Sequence, residues 1–405
     1  MVKNVAALEI CSEKVKFAVG YSIHKKPHLL YYSEKPLPFG SVFQGDIKNE
    51  EAVSKVLKTL TSFDDETLRL KVDTDEISLI LPALGFEVYD ANKSTNVVSP
   101  ECIVNELDIN NVMSLVRKEA IPSGNTVVDI IPNFFMTSSK ECYENPPLQK
   151  PSSSIAIQAQ IHTLPDRIIS SYQRTTQAAD FRVRRSIVSP FCVSELIKSD
   201  ESLPKDYLLL DMGEDLSTLS LVGNNRPYGS VIFPLGGRKL SESLANALNL
   251  SFLDAEALKK KYGYNLRQRV FRTALSIKEK DFPKDSVSQE KINTSILAYF
   301  ENFDRLLVNA IESLSRKCKP EILKTLPLVY TGGASSLYGL EGLLKKGLPN
   351  STLLHFVPKV IGGRDPAMSN ILGAIATSGE YHGTLEDHYH GVSALTREKE
   401  TNNGR

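Results

Sequence analysis

The chain is 405 residues long with a mass of 44.9 kDa, enough for two or three domains at roughly 150 residues each and for a sizeable buried core. Its 48 Lys and Arg balance its 48 Asp and Glu, which excludes the global field of a nucleic-acid binder, while five scattered cysteines argue against a disulfide framework and fit a reducing compartment. No apolar run reaches the ~20 residues of a bilayer span, and the N-terminal stretch, interrupted by Glu9, lacks a signal peptide's unbroken apolar core, so a cytoplasmic chain is expected.

In chain order, Val5 to Ile10 and Val15 to Tyr21 read as a strand, a tight turn and a second strand, with His28 to Ser33 as a third. Val53, Val56, Leu57 and Leu60 share a helical face, and Asp75 to Leu81 is a buried strand. A helix within Ser99 to Glu119 places Val112, Leu115 and Val116 on one face; strands follow at Asn125 to Ile131 and Ser154 to His162, the latter with Ile155, Ile157, Ala159 and Ile161 inward and Gln158 and Gln160 outward. This is a small α+β module inserted into an α/β domain. Pro165 to Ala179 reads as a helix and Arg182 to Val188 as a strand. A second α/β pattern then begins: strands at Tyr207 to Met212, Ser217 to Val222 and Ser230 to Pro234, helices at Lys239 to Leu248 and Asp254 to Tyr262, a polar segment from Asn265 to Pro283, a long amphipathic helix from Asn293 to Lys317, and a strand at Leu326 to Tyr330. The two halves share a plan, a buried strand with an acid near its end followed by a turn and hairpin strands, and this is the mark of two similar lobes facing a cleft.

Four segments carry site-like chemistry. The turn after Ile10 presents Ser12 and Lys14, which can bond and neutralise a phosphate; the same residues also make an ordinary solvated hairpin. Asp211 ends a strand, where it can hold a hydrated Mg²⁺, and Gly213 permits close approach to its backbone. Gly332, Gly333 and Ala334 follow a strand and suit a flat ligand or a ribose, as do Gly236 and Gly237. Glu256 lies three and four residues before Lys259 and Lys260 on one helix face; the pair can flank a nucleoside or form a local ion pair worth about 0.2–0.5 kcal/mol. Other chemistries find no motif: the cysteines are too far apart for a zinc knuckle, and neither a P-loop nor a nucleophile elbow is present.

The order of these segments resembles the actin-like ATPase superfamily, and within it the inserted module resembles the FtsA family. IAIQAQIHTLPDRIISSYQRTTQAADFRVRRSIVSPFCVSEL is similar to that family's passage out of its inserted subdomain, DAEALKKKYG to its Glu/Lys helix, VYTGGASSLYGLEGLL to its adenosine motif, and NILGAIATSG to the closing helix of its second lobe. The resemblance implies an α/β actin-like ATPase fold with a first lobe at 1–82 and 164–203, the inserted α+β subdomain at 83–163, a second lobe at 204–235 and 326–380, its outer subdomain at 236–325, and a flexible tail at 381–405. It implies ATP held with Mg²⁺ by Ser12, Lys14, Gly213, Gly236, Gly237, Glu256, Lys259, Gly332, Gly333 and Ala334, with Asp211 as the metal residue. The implied role is a polymerising division scaffold at the septum. It binds the FtsZ C-terminal tail, itself and other division proteins, and sits at the inner face of the cell membrane. Such a protein is at most a slow ATPase, and no catalytic residue is singled out. Other members of the superfamily, a pilus-assembly adaptor or a chaperone- or sugar-kinase-like ATPase, are the rival readings. The run Arg267 to Arg272 reads either as a solvated face or as part of the FtsZ-binding region.

The departures from the family pattern are chemical. Glu9 and Cys11 stand where its first hairpin has Asp and Gly, and Glu214, Asp215 and Leu216 replace its Gly-Gly-Thr. A carboxylate about 4 Å from a phosphate charge costs on the order of several kcal/mol at an effective dielectric near 20. Either the loop has moved away, or a cation bridges it, or nucleotide binding is weak or lost. The peripheral membrane contact of the family has no clear counterpart here: Val392, Ala394 and Leu395 form about one apolar turn, too little for an interfacial helix.

Overall fold

The computed structural model describes residues 4–60, 62–65, 70–73, 76–267 and 287–379. Two five-stranded sheets of one plan organise the chain. The first runs Arg182–Val188, Glu76–Leu81, Val5–Ile10, Lys14–Ile23, Lys26–Pro36, and the second Leu353–His355, Leu328–Thr331, Tyr207–Met212, Ser217–Gly223, Arg226–Phe233. In each, three strands form an antiparallel meander. The first strand of the meander also pairs in parallel with a later segment, which pairs in parallel with the last. The repetition extends to the turns. Ile10 faces Val15 and Met212 faces Ser217, so both hairpins are joined by four residues, closed by the same bond: Cys11 N–H to Lys14 O and Gly213 N–H to Leu216 O, each 2.9 Å.

Between the first lobe's strands lies a third, antiparallel sheet in the order Cys142–Tyr143, Asn125–Thr137, Ser154–Pro165, Glu87–Asn96. The helix Glu106–Arg117 covers it, its start fixed by reciprocal capping between Asn105 and Asp108. Ile109, Val112, Met113 and Val116 pack against Ile130, Phe135, Ile155 and Ile157 in a core of their own. Leu115, expected on that face, is instead exposed. The strand Glu87–Asn96 escapes the sequence reading because its residues are mostly polar and many lie at the surface.

One face of the second sheet packs in a core of its own, while Tyr207, Leu209, Val222 and Val329 on its other face join the first lobe's core. The helix Ser189–Lys198 is buried from Pro190 to Ile197; with no polar face it carries no helical period, and this hides it from periodicity. Ser369–Ala376, the segment similar to a closing helix of the second lobe, places Ile371, Leu372, Ala374 and Ile375 in the first lobe's core, so the chain returns from one lobe to the other at this point. The tail and all but the start of the Arg267 to Arg272 run lie outside the described residues.

One inward–outward assignment is reversed. Gln160 is fully buried, as is His162, because the far end of Ser154–Pro165 runs beneath the first lobe and both its faces are covered. The His162 ring meets Phe86 at 5.1 Å and Phe191 at 5.3 Å edge-on, and neither ring nitrogen finds a hydrogen-bond partner among the described residues. Burial, with the Arg226 and Arg185 charges nearby, pushes its pKa down from 6.5 to about 3. Unfolding therefore takes up a proton here as pH drops below 6.5, and the folded state loses stability from there down to about pH 3. His162→Leu should remove that one-proton slope without lowering stability at neutral pH, as urea midpoints at pH 7 and pH 5 will show.

Candidate functional site

A cleft of about 550 Å³ opens between the two sheets, within the range of small-ligand sites. Among its lining are Ser12, Lys14, Asp211, Gly213, Gly237, Glu256, Lys259, Gly332, Gly333 and Ala334. Segments far apart in sequence thus meet on one cavity. Gly236 stands behind the wall: its backbone abuts Glu214, whose carbonyl oxygen would lie 2.2 Å from any Cβ there, and its carbonyl accepts from the Tyr299 hydroxyl at 3.0 Å.

The floor is built around a buried charge cluster. Lys16 Nζ lies 2.9 Å from Glu9 Oε2 and donates to the Ala367 carbonyl at 2.7 Å. Asn370, at the start of the returning helix, donates its amide to Glu9 Oε1 at 2.8 Å and to Asp211 Oδ2 at 3.2 Å. One amide thus joins the acids that end the first strands of the two lobes. Burial, then the neighbouring Glu9 charge, raises the Asp211 pKa to about 6. Gly332 is required beside it, since its φ of +91° is left-handed and a Cβ would lie 2.3 Å from Asp211 Oδ1. Lys16 and Asn370 are absent from the sequence-based set. The signal for Lys16 is a lysine between Val15 and Phe17 in a strand that reads as buried; Asn370 carries none that local pattern can supply.

The wall beyond Gly332 is built from charges paired within the protein. Glu256 pairs with Lys259 at 2.6 Å and Lys260 at 3.0 Å, and accepts from the Ser241 hydroxyl. Lys259 is itself buried and donates to Gly237 O at 2.9 Å. Glu256 and Lys259 therefore form the local ion pair and line the cleft as well.

The hairpin end is different. A helix N-terminus offers free N–H groups to an anion, but in Gly237–Leu248 the first two are taken: Gly237 N–H donates to Gly213 O at 3.0 Å and Arg238 N–H to Glu214 O at 2.9 Å. Lys14 pairs with Glu34 at 2.5 Å. Glu214 lines the cavity with its pKa raised, first by burial and then by Glu13. Asp215 accepts from Arg238 Nε at 2.7 Å. The Glu256 wall is balanced in charge; the hairpin end presents carboxylates and has Lys14 and two helix N–H groups bonded within the protein.

Among solved structures, the chain is similar over 93% of its length to 99% of a chain from the PilM-PilN type IV pilus biogenesis complex, with a TM-score of 0.61 at 17% identity. It is similar over its whole length to MreB 5 of Spiroplasma citri bound to AMPPNP, with a TM-score of 0.53 at 11% identity over 99% of that chain. Paired lobes of this topology around one cleft define the actin-like ATPase fold. Residues 208–373 match the family model "Cell division protein FtsA". The cell division protein FtsA of Enterococcus faecalis is 23% identical over 330 residues, 79% of this chain and 70% of that protein; the Enterococcus hirae protein of that name is 24% identical over 77% and 69%. By sequence the chain is thus similar to FtsA cell-division proteins, and by fold it is actin-like.

The floor cluster makes a firm demand on stability. Lys16→Met would leave Glu9 beside Asp211 with its buried counter-charge gone, at a cost of about 3–5 kcal/mol. Adding Glu9→Gln should recover much of the loss. Urea unfolding without nucleotide measures both.

Proposed function

We propose that this chain works as an FtsA-like scaffold in cell division, on the inner face of the cell membrane. In this reading the outer part of the second lobe, residues 236–325, receives the FtsZ C-terminal tail; the inserted module at 83–163 contacts the next subunit of a filament; and other division proteins join at the membrane. The observation that carries the reading is an actin-like two-lobe fold with its own α+β sheet set into the first lobe, in a chain whose curated relatives are FtsA proteins. The membrane contact in this reading is peripheral; among the described residues no helix is long and apolar enough to cross a membrane. The likeness to the pilus complex is one of fold at 17% identity, and it keeps a pilus-assembly adaptor as the rival. Co-sedimentation decides: the protein should pellet with FtsZ polymers and remain in the supernatant with FtsZ lacking its C-terminal tail. Failure to pellet with intact FtsZ would favour the rival.

Nucleotide binding in this reading rests on the wall beyond Gly332, with Asp211 as the residue nearest the place of a hydrated Mg²⁺. Calorimetry with ATP and Mg²⁺ should give an affinity weaker than micromolar and slow phosphate release. Replacing Glu214 and Asp215 by Gly should tighten binding roughly tenfold or more, since two carboxylates leave the phosphate end. The Mg²⁺-dependent part of binding should fall as pH drops through about 6, where Asp211 takes up a proton and a neutral carboxyl no longer holds a cation.

A further inference from the structure

The repetition of the two hairpins assigns equivalent positions. With Ile10–Val15 and Met212–Ser217 as matching pairs, the third residue of each turn is Glu13 in the first lobe and Asp215 in the second. Both are acids, and like charges facing each other across a cleft would drive the lobes apart. A single guanidinium joins them. Arg238 donates through Nε to Asp215 at 2.7 Å and pairs through its Nη2 with Glu13. Its side chain is 16% exposed, with Asp215 at 7% and Glu13 at 46%. Two rings flank it: Phe39 of the first lobe lies 5.5 Å from the guanidinium carbon and Phe252 of the second lobe 6.0 Å. Arg238 belongs to the second lobe, so its bonds to Asp215 and its contact with Phe252 are internal, whereas Glu13 and Phe39 reach it from the other side.

We propose that Glu13, Arg238 and Asp215 form a latch that holds the two lobes closed without a nucleotide. Two carboxylates, one from each hairpin, and the arginine between them bridge the mouth of the cleft. The planar fork of the guanidinium suits it to two carboxylates at once, and the flanking rings favour the charge where it is held. The arrangement depends neither on FtsZ binding nor on an occupied cleft, so its test is separate from theirs. The interlobe arm is the half-exposed one, which makes the latch sensitive to salt.

The test reads interlobe distance in the full-length, nucleotide-free protein. Dyes are attached through click-reactive amino acids at Lys55 and Asn246, exposed positions on the two lobes, and single-molecule energy transfer is recorded. The wild-type protein should show one narrow, closed population at low salt. Glu13→Gln keeps the size of the side chain and the Arg238–Asp215 bond but removes the interlobe charge. It should raise the open-to-closed ratio about tenfold, the scale of one charge-assisted hydrogen bond discounted for exposure. Raising salt should open the wild type and leave Glu13→Gln nearly unchanged, and Arg238→Ala should open at least as far. A wild type already open without nucleotide would overturn the latch, and so would a Glu13→Gln distribution that matches the wild type. Because Glu13→Gln alters a half-exposed side chain by one atom, its result stands even if Arg238→Ala folds poorly, which a melting curve on each variant reveals.

Discussion

Four side chains join the polar floors of the two lobes, where their shared apolar core meets the cleft: Glu9, Lys16, Asn370 and Asp211. Two carboxylates end the first strands of the two sheets, and the duplication of the fold points both at the same small volume. Their burial is tolerable only because Lys16 offsets one charge and the Asn370 amide donates to both. Asn370 reaches that point because the chain, having built the second lobe, sends Ser369–Ala376 back into the first lobe's core. The returning helix therefore does two jobs. It fills the apolar space behind the first sheet, and its first turn delivers the amide that ties the acids together.

The hairpin tips follow the same rule with different components. Each tip carries an acid, and each acid has a cation: Glu13 and Asp215 share Arg238. A turn that carries Glu214 and Asp215 side by side poses a question of charge, and the second lobe answers it for Asp215 from the start of its own helix. The backbone follows suit. Gly236 lets the chain pass against Glu214, and the helix N–H groups that an anion would claim are bonded to the second hairpin's carbonyls. Nothing in this arrangement needs the acidic loop to have moved away.

Much of this was legible in the sequence, for definable reasons. The strands Val5–Ile10 and Tyr207–Met212 are short, apolar and followed by polar turns, so their repetition can be read directly, and with it the two-lobed plan. The strand-to-glycine turns stand out because few residues other than glycine adopt a left-handed backbone. What was not legible depends on distance in sequence. That Gln160 is buried follows from a lobe closing over the far end of its strand, which alternation within the strand cannot reveal. Arg238 opens an ordinary amphipathic helix, and only the fold brings it to Glu13, 225 positions earlier (238 − 13). Asn370 meets Glu9 across 361 positions. Local pattern reports what a residue is; partnership at that range is a property of the topology.

Taken layer by layer, the charges of the cleft indicate which part of a ligand it discriminates. At the wall beyond Gly332, Glu256 is matched by Lys259 and Lys260, and that layer is not anionic. On the floor two carboxylates face one lysine, and burial, then the Glu9 charge, raises the pKa of Asp211. At the tips Glu13 and Asp215 share Arg238, while among the described residues Glu214 has no bonded cation and is offset only by the longer-range charges of Lys259, Lys260 and Arg238. A phosphate chain entering past the wall meets layers that are already acidic, where each added negative charge is opposed by several kcal/mol at close range. A base or ribose meets no such penalty. Discrimination therefore falls on the phosphates, and a phosphorylated ligand must either bring its own cation to the floor or draw Arg238 away from Glu13. The second route releases the arm that joins the lobes, so in this chain phosphate binding and lobe closure compete for the same guanidinium.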